Sequence, residues 1–259
     1  IIETRPDNCT MTYDFYNKDY YLKGLEYKSE LRNNSRLLFI VTRNNYQVQT
    51  ISPQIRFPYL ESKETEYHEG VENIAKTTTQ AYSYDQYGNI IRFVDNGDNG
   101  EDDDLEAIVT YKIDTEKFIL NKPNQIIITG GDGKKYRERS CTYDNNGNLC
   151  ILRQLLSNGE IAVTNLTYNT FGNPTNVTGP SNHMGQRYSK NFKYDEDTQS
   201  HITSITDSFG YESRSEYTGH AIYYGKPSCT LDINNSPINY AYDAYGRVKE
   251  ISIPYSDGQ

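Results

Sequence analysis

The chain has 259 residues, 35% of them hydrophobic, with 25 tyrosines, no tryptophan and a formal net charge of −9. That charge, with no basic stripe to offset it, repels phosphate backbones and anionic membranes and argues against nucleic acid as a partner. No apolar run approaches the roughly 18 residues of a membrane span.

A mean hydropathy of −0.82 suggests disorder if taken alone. The tyrosines argue otherwise. Each buries a large ring while its hydroxyl stays wet, so a thin sheet with two partly solvated faces can be built from them.

In chain order, residues 1–76 read as an irregular β region. Leu22 to Leu31 and Arg36 to Val48, separated by Asn33-Asn34-Ser35, form a hairpin with a polar turn. Ile51 to Gly70 contains Pro53 and Pro58, which are confined to edge or crossover positions. The best helix candidate is Glu66 to Ala75, weakened by Gly70, and little or no helix is expected anywhere.

From residue 77 to 259 a repeat takes over. Tyr84-Asp85-Gln86-Tyr87-Gly88-Asn89-Ile90 recurs as Tyr143-Asp144-Asn145-Asn146-Gly147-Asn148-Leu149, as Tyr168-Asn169-Thr170-Phe171-Gly172-Asn173-Pro174 and as Tyr242-Asp243-Ala244-Tyr245-Gly246-Arg247-Val248. Weaker copies begin at Tyr111, Tyr194-Asp195 and Tyr217. The leading tyrosines recur about every 25 residues, the mark of a repeat architecture. Apolar or aromatic residues alternate before each turn, as in Tyr82 and Tyr84 or Phe192 and Tyr194, which is a strand with one packed face. Asp or Asn then accepts backbone N–H groups across the turn, and Gly supplies positive φ. Ile90, Ile91 and Phe93, or Val248 and Ile251, form the return strand. Each unit is a β-hairpin, and hairpins must stack side by side to persist. Gly130-Gly131-Asp132-Gly133 and Asn158-Gly159 are further turns. An insertion at Asp95 to Asp104 interrupts the series and is read as contributing to the long spacing before Tyr143.

The repeated Tyr-Asp-x-x-Gly-Asn motif resembles the YD repeat of the rearrangement-hotspot (Rhs) and teneurin families, and most specifically the bacterial branch that includes the B component of insecticidal toxin complexes. Tyr20-Tyr21-Leu22-Lys23-Gly24, Thr77-Thr78-Thr79 and the acidic run before Leu105 sit where such proteins carry similar stretches. The resemblance covers nearly the whole chain, most strongly from Thr77 onward. It implies an all-β, antiparallel strip of consecutive hairpins, curved or spiralling, that forms part of a hollow shell around a C-terminal effector. It further implies a secreted or cell-surface bacterial protein whose partners are the remaining shell repeats, the effector and a toxin-translocation partner. The family's self-cleaving Asp-Pro-x-Gly motif does not occur here. The chain ends beyond a repeat turn, at Gly258-Gln259, and reads as a fragment of something longer.

Candidate chemistry is sparse. The stretch from Asp95 to Asp104 alternates oxygen ligands and glycines as calcium loops do, which makes Asp95, Asp98 and Asp102 candidate ligands. It lacks the full EF-hand pattern, and an exposed acidic loop is the default reading. His68, His183, His201 and His220 have no ligand spacing and read as solvated imidazoles. Cys9, Cys141, Cys150 and Cys229 form no CxxC pair, although Cys141 and Cys150 flank one turn and could face each other across it. No Gly-x-Ser-x-Gly elbow occurs. No catalytic residue and no cofactor is assigned.

Tyr84, Asp85, Gly88, Tyr143, Asp144, Gly147, Tyr168, Gly172, Tyr194, Asp195, Tyr242, Asp243 and Gly246 are therefore expected to be structural. Two functions remain: a non-catalytic shell wall, or an extracellular module binding a surface glycan or another cell through its repeated aromatics.

Overall fold

The computed structural model describes residues 1–71, 73–98, 100–219 and 225–254. His220 and the Gly258-Gln259 end lie outside the described residues, as does Asn99 of the acidic stretch. Among the described residues nineteen strands form, arranged as consecutive antiparallel hairpins. The chain falls into two compact units, Ile1–Ser140 and Cys141–Gln259.

The first unit contains β1 (Ile2–Thr4), β2 (Thr10–Phe15), β3 (Glu26–Arg32), β4 (Leu38–Ser52), β5 (Ile55–Tyr67), β6 (Lys76–Tyr84), β7 (Ile90–Asn96), β8 (Leu105–Asp114), β9 (Ile119–Gly130) and most of β10 (Lys135–Tyr143). Each strand pairs with the next. The second unit contains β11 (Leu149–Leu155), β12 (Ile161–Tyr168), β13 (Pro174–Ser181), β14 (Arg187–Tyr194), β15 (Ile202–Asp207), β16 (Glu212–Glu216), β17 (Cys229–Leu231), β18 (Pro237–Tyr242) and β19 (Val248–Ser252). These too pair in chain order.

Packing is that of a sheet with two wet faces. Among the described residues, Val41 is the one hydrophobic side chain in the buried class, at 2% exposure. Most strand positions are half-buried on both faces, as a tyrosine-rich, tryptophan-free chain requires.

The hairpin around Asn33-Asn34-Ser35 forms as the sequence predicts, with β3 paired to β4. Pro58 lies in β5 opposite Val48, in a stretch that pairs with β4 but not with β6, the edge position to which proline is confined. Glu66 to Ala75 is not a helix. Glu66 and Tyr67 end β5, and the chain then turns through Glu69 (φ 53°) and Gly70 (φ 87°), two consecutive left-handed residues that a helix cannot contain.

The acidic stretch also differs from its reading. Asp95 and Asn96 belong to β7, opposite Gln80 and Thr79, so the connection proper is 97–104 and precedes Tyr111. The long spacing from Tyr111 to Tyr143 instead comes from β9, twelve residues long.

Candidate functional site

The repeated turn is the most elaborate arrangement in the molecule. In the first unit, Asp85 N–H donates to Asn89 O at 2.9 Å and Gly88 N–H to Asp85 O at 3.2 Å. The Asp85 carboxylate braces this loop: Oδ1 accepts the Tyr87 and Asn89 N–H groups at 2.8 and 2.9 Å, and Oδ2 accepts Asn89 Nδ2 at 2.9 Å. In the second unit Asp144 does the same for Asn146 and Asn148, Asn169 for Phe171 and Asn173, and Asp243 for Tyr245 and Arg247. Gly88, Gly147, Gly172 and Gly246 hold φ between 74° and 84°.

The leading tyrosines reach across to the preceding hairpin. Tyr84 Oη donates to Leu60 O at 3.1 Å, and Tyr111 Oη to Ile90 O at 2.9 Å. In the second unit Tyr168 donates to Leu149 O, Tyr194 to Pro174 O and Tyr242 to Pro227 O, at 2.9, 2.9 and 2.8 Å. The first four bonds clip the strand that enters a turn to the return strand of the hairpin before it, and the Tyr242 bond reaches the connection just ahead of β17. Burial raises all five phenols above the ordinary tyrosine range. Tyr143 is pushed up to about 12 by burial and by the neighbouring Cys141 thiol. The asparagine after Gly reaches the other way: Asn89 Nδ2 donates to Leu120 O at 2.7 Å, and Asn173 Nδ2 to Gln199 O.

Sequence reading found the turn by its signature where Tyr precedes it, found the turns at Gly130 to Gly133 and Asn158-Gly159 without it, and missed three more. Asn182, Asp207 and Asp232 brace connections in the same way, each accepting the N–H groups two and four residues on. The available signal was Asx-x-x-Gly without the tyrosine, at Asn182 to Gly185 and Asp207 to Gly210. At Asp232 the glycine slot is Asn235, with φ 60°.

Asp195 is a longer variant. Its carboxylate accepts N–H groups from Thr198, Ser200 and His201 at 2.7 to 2.9 Å, and the Thr198 hydroxyl at 2.8 Å. Partial burial would raise this carboxyl, but the N–H groups of His201, Thr198 and Ser200 outweigh it and hold it well below the usual range. Asp232 and Asp243 are also lowered, first by the N–H groups of Ser236 and Arg247. A carboxyl lowered in the folded state binds fewer protons than in the unfolded chain, so its contribution is present above about pH 4 and is lost as pH falls through the folded value. The urea midpoint is therefore expected to hold from pH 7 to 5 and to drop by pH 3. Asp195→Asn should be less stable than the parent at pH 7 and drop less on acidification. Parallel pH curves for parent and variant would contradict this assignment.

The other candidate groups lack a chemical constellation. Asp98 is paired with Lys76 at 2.7 Å, Asp103 Oδ2 accepts the Asp98 N–H, and Asp104 Oδ1 accepts the Gly97 N–H. Among the described residues no group of three or more His, Cys, Asp or Glu is placed to hold a metal ion, and Asp95, Asp98 and Asp102 are not brought together as one. All four cysteines are free, Cys141 and Cys150 included.

His68 corrects the solvated-imidazole reading. It directly follows β5 at 6% exposure, with Nε2 3.5 Å from Glu66 Oε2, which also pairs with Arg43 at 2.8 Å. His201 stacks on Tyr217, centroids 4.7 Å apart, while His183 is exposed. No helix among the described residues is long and apolar enough to cross a membrane.

No family model matches the sequence. No curated protein matches it either. Solved structures do. The crystal structure of TcdB2-TccC3-Cdc42 aligns over 90% of this chain with a TM-score of 0.69 at 12% identity. TcdB2-TccC3 without its hypervariable C-terminal region aligns over 90% at 0.68 and 11%, and TcdB2-TccC3 over 92% at 0.68 and 10%. The chain spans only 16%, 16% and 17% of those three chains. It shares with TcdB2-TccC3 the antiparallel strip of consecutive hairpins that its Tyr-Asp signature predicts from the toxin-complex branch of the YD-repeat proteins.

Proposed function

We propose that the chain is a non-catalytic stretch of shell wall in a longer, secreted bacterial protein of the YD-repeat toxin-complex kind, enclosing a C-terminal effector. The observation that carries this reading is how the signature side chains are used. Asp85, Asn169, Asp195 and Asp243 accept their own turns' N–H groups, and Tyr84, Tyr168, Tyr194 and Tyr242 donate to the preceding hairpin's backbone. Groups committed to the sheet's own backbone build a wall and leave nothing for a substrate.

Tyr143, Asp144 and Gly147, with Gly88, Gly172 and Gly246, take the same structural role. Residues 1–76 are then the irregular lead into a repeat strip over 77–259. Likeness to TcdB2-TccC3 supports the reading, since one matched structure is described by the removal of a hypervariable C-terminal region, the part such a wall would enclose. Its partners are further repeats of the parent, that region and a translocation partner.

Limited trypsin digestion of the full-length parent tests this. Its C-terminal region should be cleaved roughly tenfold more slowly than in a parent lacking residues 1–254. Equal cleavage rates would reject the enclosing role.

A further inference from the structure

In the first unit β4 and β5 run on past their neighbours. The two strands pair with each other out to Ser52 and Ile55, whereas β5 and β6 pair only as far as Ser62 and Ala81. Beyond that point β5 and β6 separate, and Tyr84 Oη reaches across to Leu60 O at 3.1 Å. A cavity of about 430 Å³ opens there, lined by Gln49, Tyr59, Glu61, Tyr82, Ser83 and Tyr84.

Three of those six side chains are tyrosines, and each is braced. Tyr59 and Tyr84 pack on each other with centroids 5.2 Å apart. Tyr82 packs on Phe93 at 5.1 Å, and its hydroxyl donates to Gln80 Oε1 at 3.1 Å. Rings held in this way lose little conformational entropy when a ligand meets them.

Glu61 is the one charged group in the lining. Its Oε2 accepts Asn45 Nδ2 and Gln47 Nε2 at 2.9 and 3.1 Å, two neutral amides that fix the carboxylate without cancelling its charge. The basic residues of the adjoining strands are placed elsewhere. Lys63 stands opposite Gln80 in the β5–β6 ladder, outside the lining, while Arg56 lies over the Tyr21 ring at 5.3 Å and Arg92 pairs with Glu106 at 2.6 Å.

We propose that this cavity binds a small organic cation carrying a quaternary ammonium group, of the choline type. The face of a tyrosine ring is the negative end of its quadrupole and attracts a cation within about 6 Å of its centroid. Here three rings adjoin a carboxylate that no cation neutralises, in a chain whose net charge of −9 draws cations toward it. A quaternary ammonium presents methyl groups and no N–H, so aromatic walls suit it. A primary ammonium needs an acceptor for each of three N–H groups, and Glu61 Oε2 already serves two amides. Tyr84 contributes a wall while its hydroxyl stays on Leu60 O, and Tyr59, Tyr82 and Glu61 lie outside the repeat signature. The proposal therefore stands apart from the shell-wall reading.

The test is calorimetry and proton NMR on the whole chain with choline, with ethanolamine, with glycerophosphocholine and with the neutral tert-butyl analogue of choline, which has carbon in place of nitrogen. Choline should bind with a Kd of about 1–10 mM, and the neutral analogue about tenfold more weakly. Glu61→Gln should weaken choline about fivefold and Tyr82→Leu about tenfold, while Tyr82→Phe, which keeps the ring, should retain it. A thermal melt of Glu61→Gln at the parent's midpoint separates lost binding from lost folding, whatever Tyr82→Leu does to stability. Equal binding of glycerophosphocholine would extend the ligand to phospholipid headgroups, and weaker binding would restrict it to the free cation. No choline binding at about 50 mM, binding of the neutral analogue or of ethanolamine as tight as that of choline, or choline binding unmoved by both Glu61→Gln and Tyr82→Leu would overturn the proposal.

Discussion

Replacing Tyr84 by alanine is expected to lower the unfolding free energy by about 2–3 kcal/mol, toward the lower end for an aromatic truncation because the ring is half-buried. The ring packs against Tyr59 with centroids 5.2 Å apart at 56° and against Phe57 at 5.9 Å and 75°, so alanine opens a hole in the one aromatic cluster that joins β5 to β6. The hydroxyl adds its bond to Leu60 O. Tyr84→Phe removes that bond alone and should cost about 0.5–1.5 kcal/mol. The two variants divide the loss into packing and hydrogen bonding, read from urea midpoints followed by circular dichroism. A tyrosine kept for ligand binding would behave in the opposite way, with both variants melting at the parent's midpoint. That result would remove the structural account of the signature.

The same comparison shows why the signature was legible in sequence and other parts were not. Tyr84, Asp85 and Gly88 each satisfy a local requirement that a particular residue type meets best: a long ring ending in a donor, a short acceptor, a residue tolerant of positive φ. Local requirements leave local patterns. The turns at Arg5 to Cys9 and Asn33 to Leu37 make the same pair of backbone bonds, yet their positive-φ slot holds Asn8 and Arg36, at 61° and 63°. Without glycine the signature is absent although the geometry is shared, and only the polar Asn33-Asn34-Ser35 run marks the second of the two.

Tyrosine marks only alternate connections in the second unit. It precedes the turns after β12, β14 and β18, whereas Leu155, Ser181, Thr206 and Leu231 precede those after β11, β13, β15 and β17. Consecutive connections of a meander lie on opposite edges and alternate ones share an edge, so the motif records which edge carries the clip to the preceding hairpin. Its apparent period is that of a strand pair, and a search for Tyr-Asp sees half the turns. His68 escaped for a different reason. Its burial depends on Arg43 and Glu66, contributed by two strands, and no spacing along the chain reveals that contact.

Replacing Gly88 by valine should cost about 3 kcal/mol, the sum of two effects that neighbouring turns allow to be measured apart. Gly88 has φ +84°, a region in which any β-carbon is strained by roughly 1–2 kcal/mol. A β-carbon there would also lie 3.1 Å from Phe57 Cζ, and the two further methyl carbons of valine need room that ring already fills, an overpacking cost of about 1–3 kcal/mol. Gly159 has nearly the same φ, +86°, and nothing within 4 Å of its β-carbon position, so Gly159→Ala reports the backbone strain by itself. Gly88→Asn should be the mildest change at position 88, because asparagine already fills the equivalent slot at Asn8 and Asn235. The expected order of loss in urea midpoint is Gly88→Val, then Gly88→Ala, then Gly88→Asn, with Gly159→Ala below Gly88→Ala by the share due to Phe57. If Gly88→Ala and Gly159→Ala prove equal, the Phe57 ring yields at no cost. The turn then tolerates any residue that accepts positive φ, and glycine is kept at position 88 for its backbone alone.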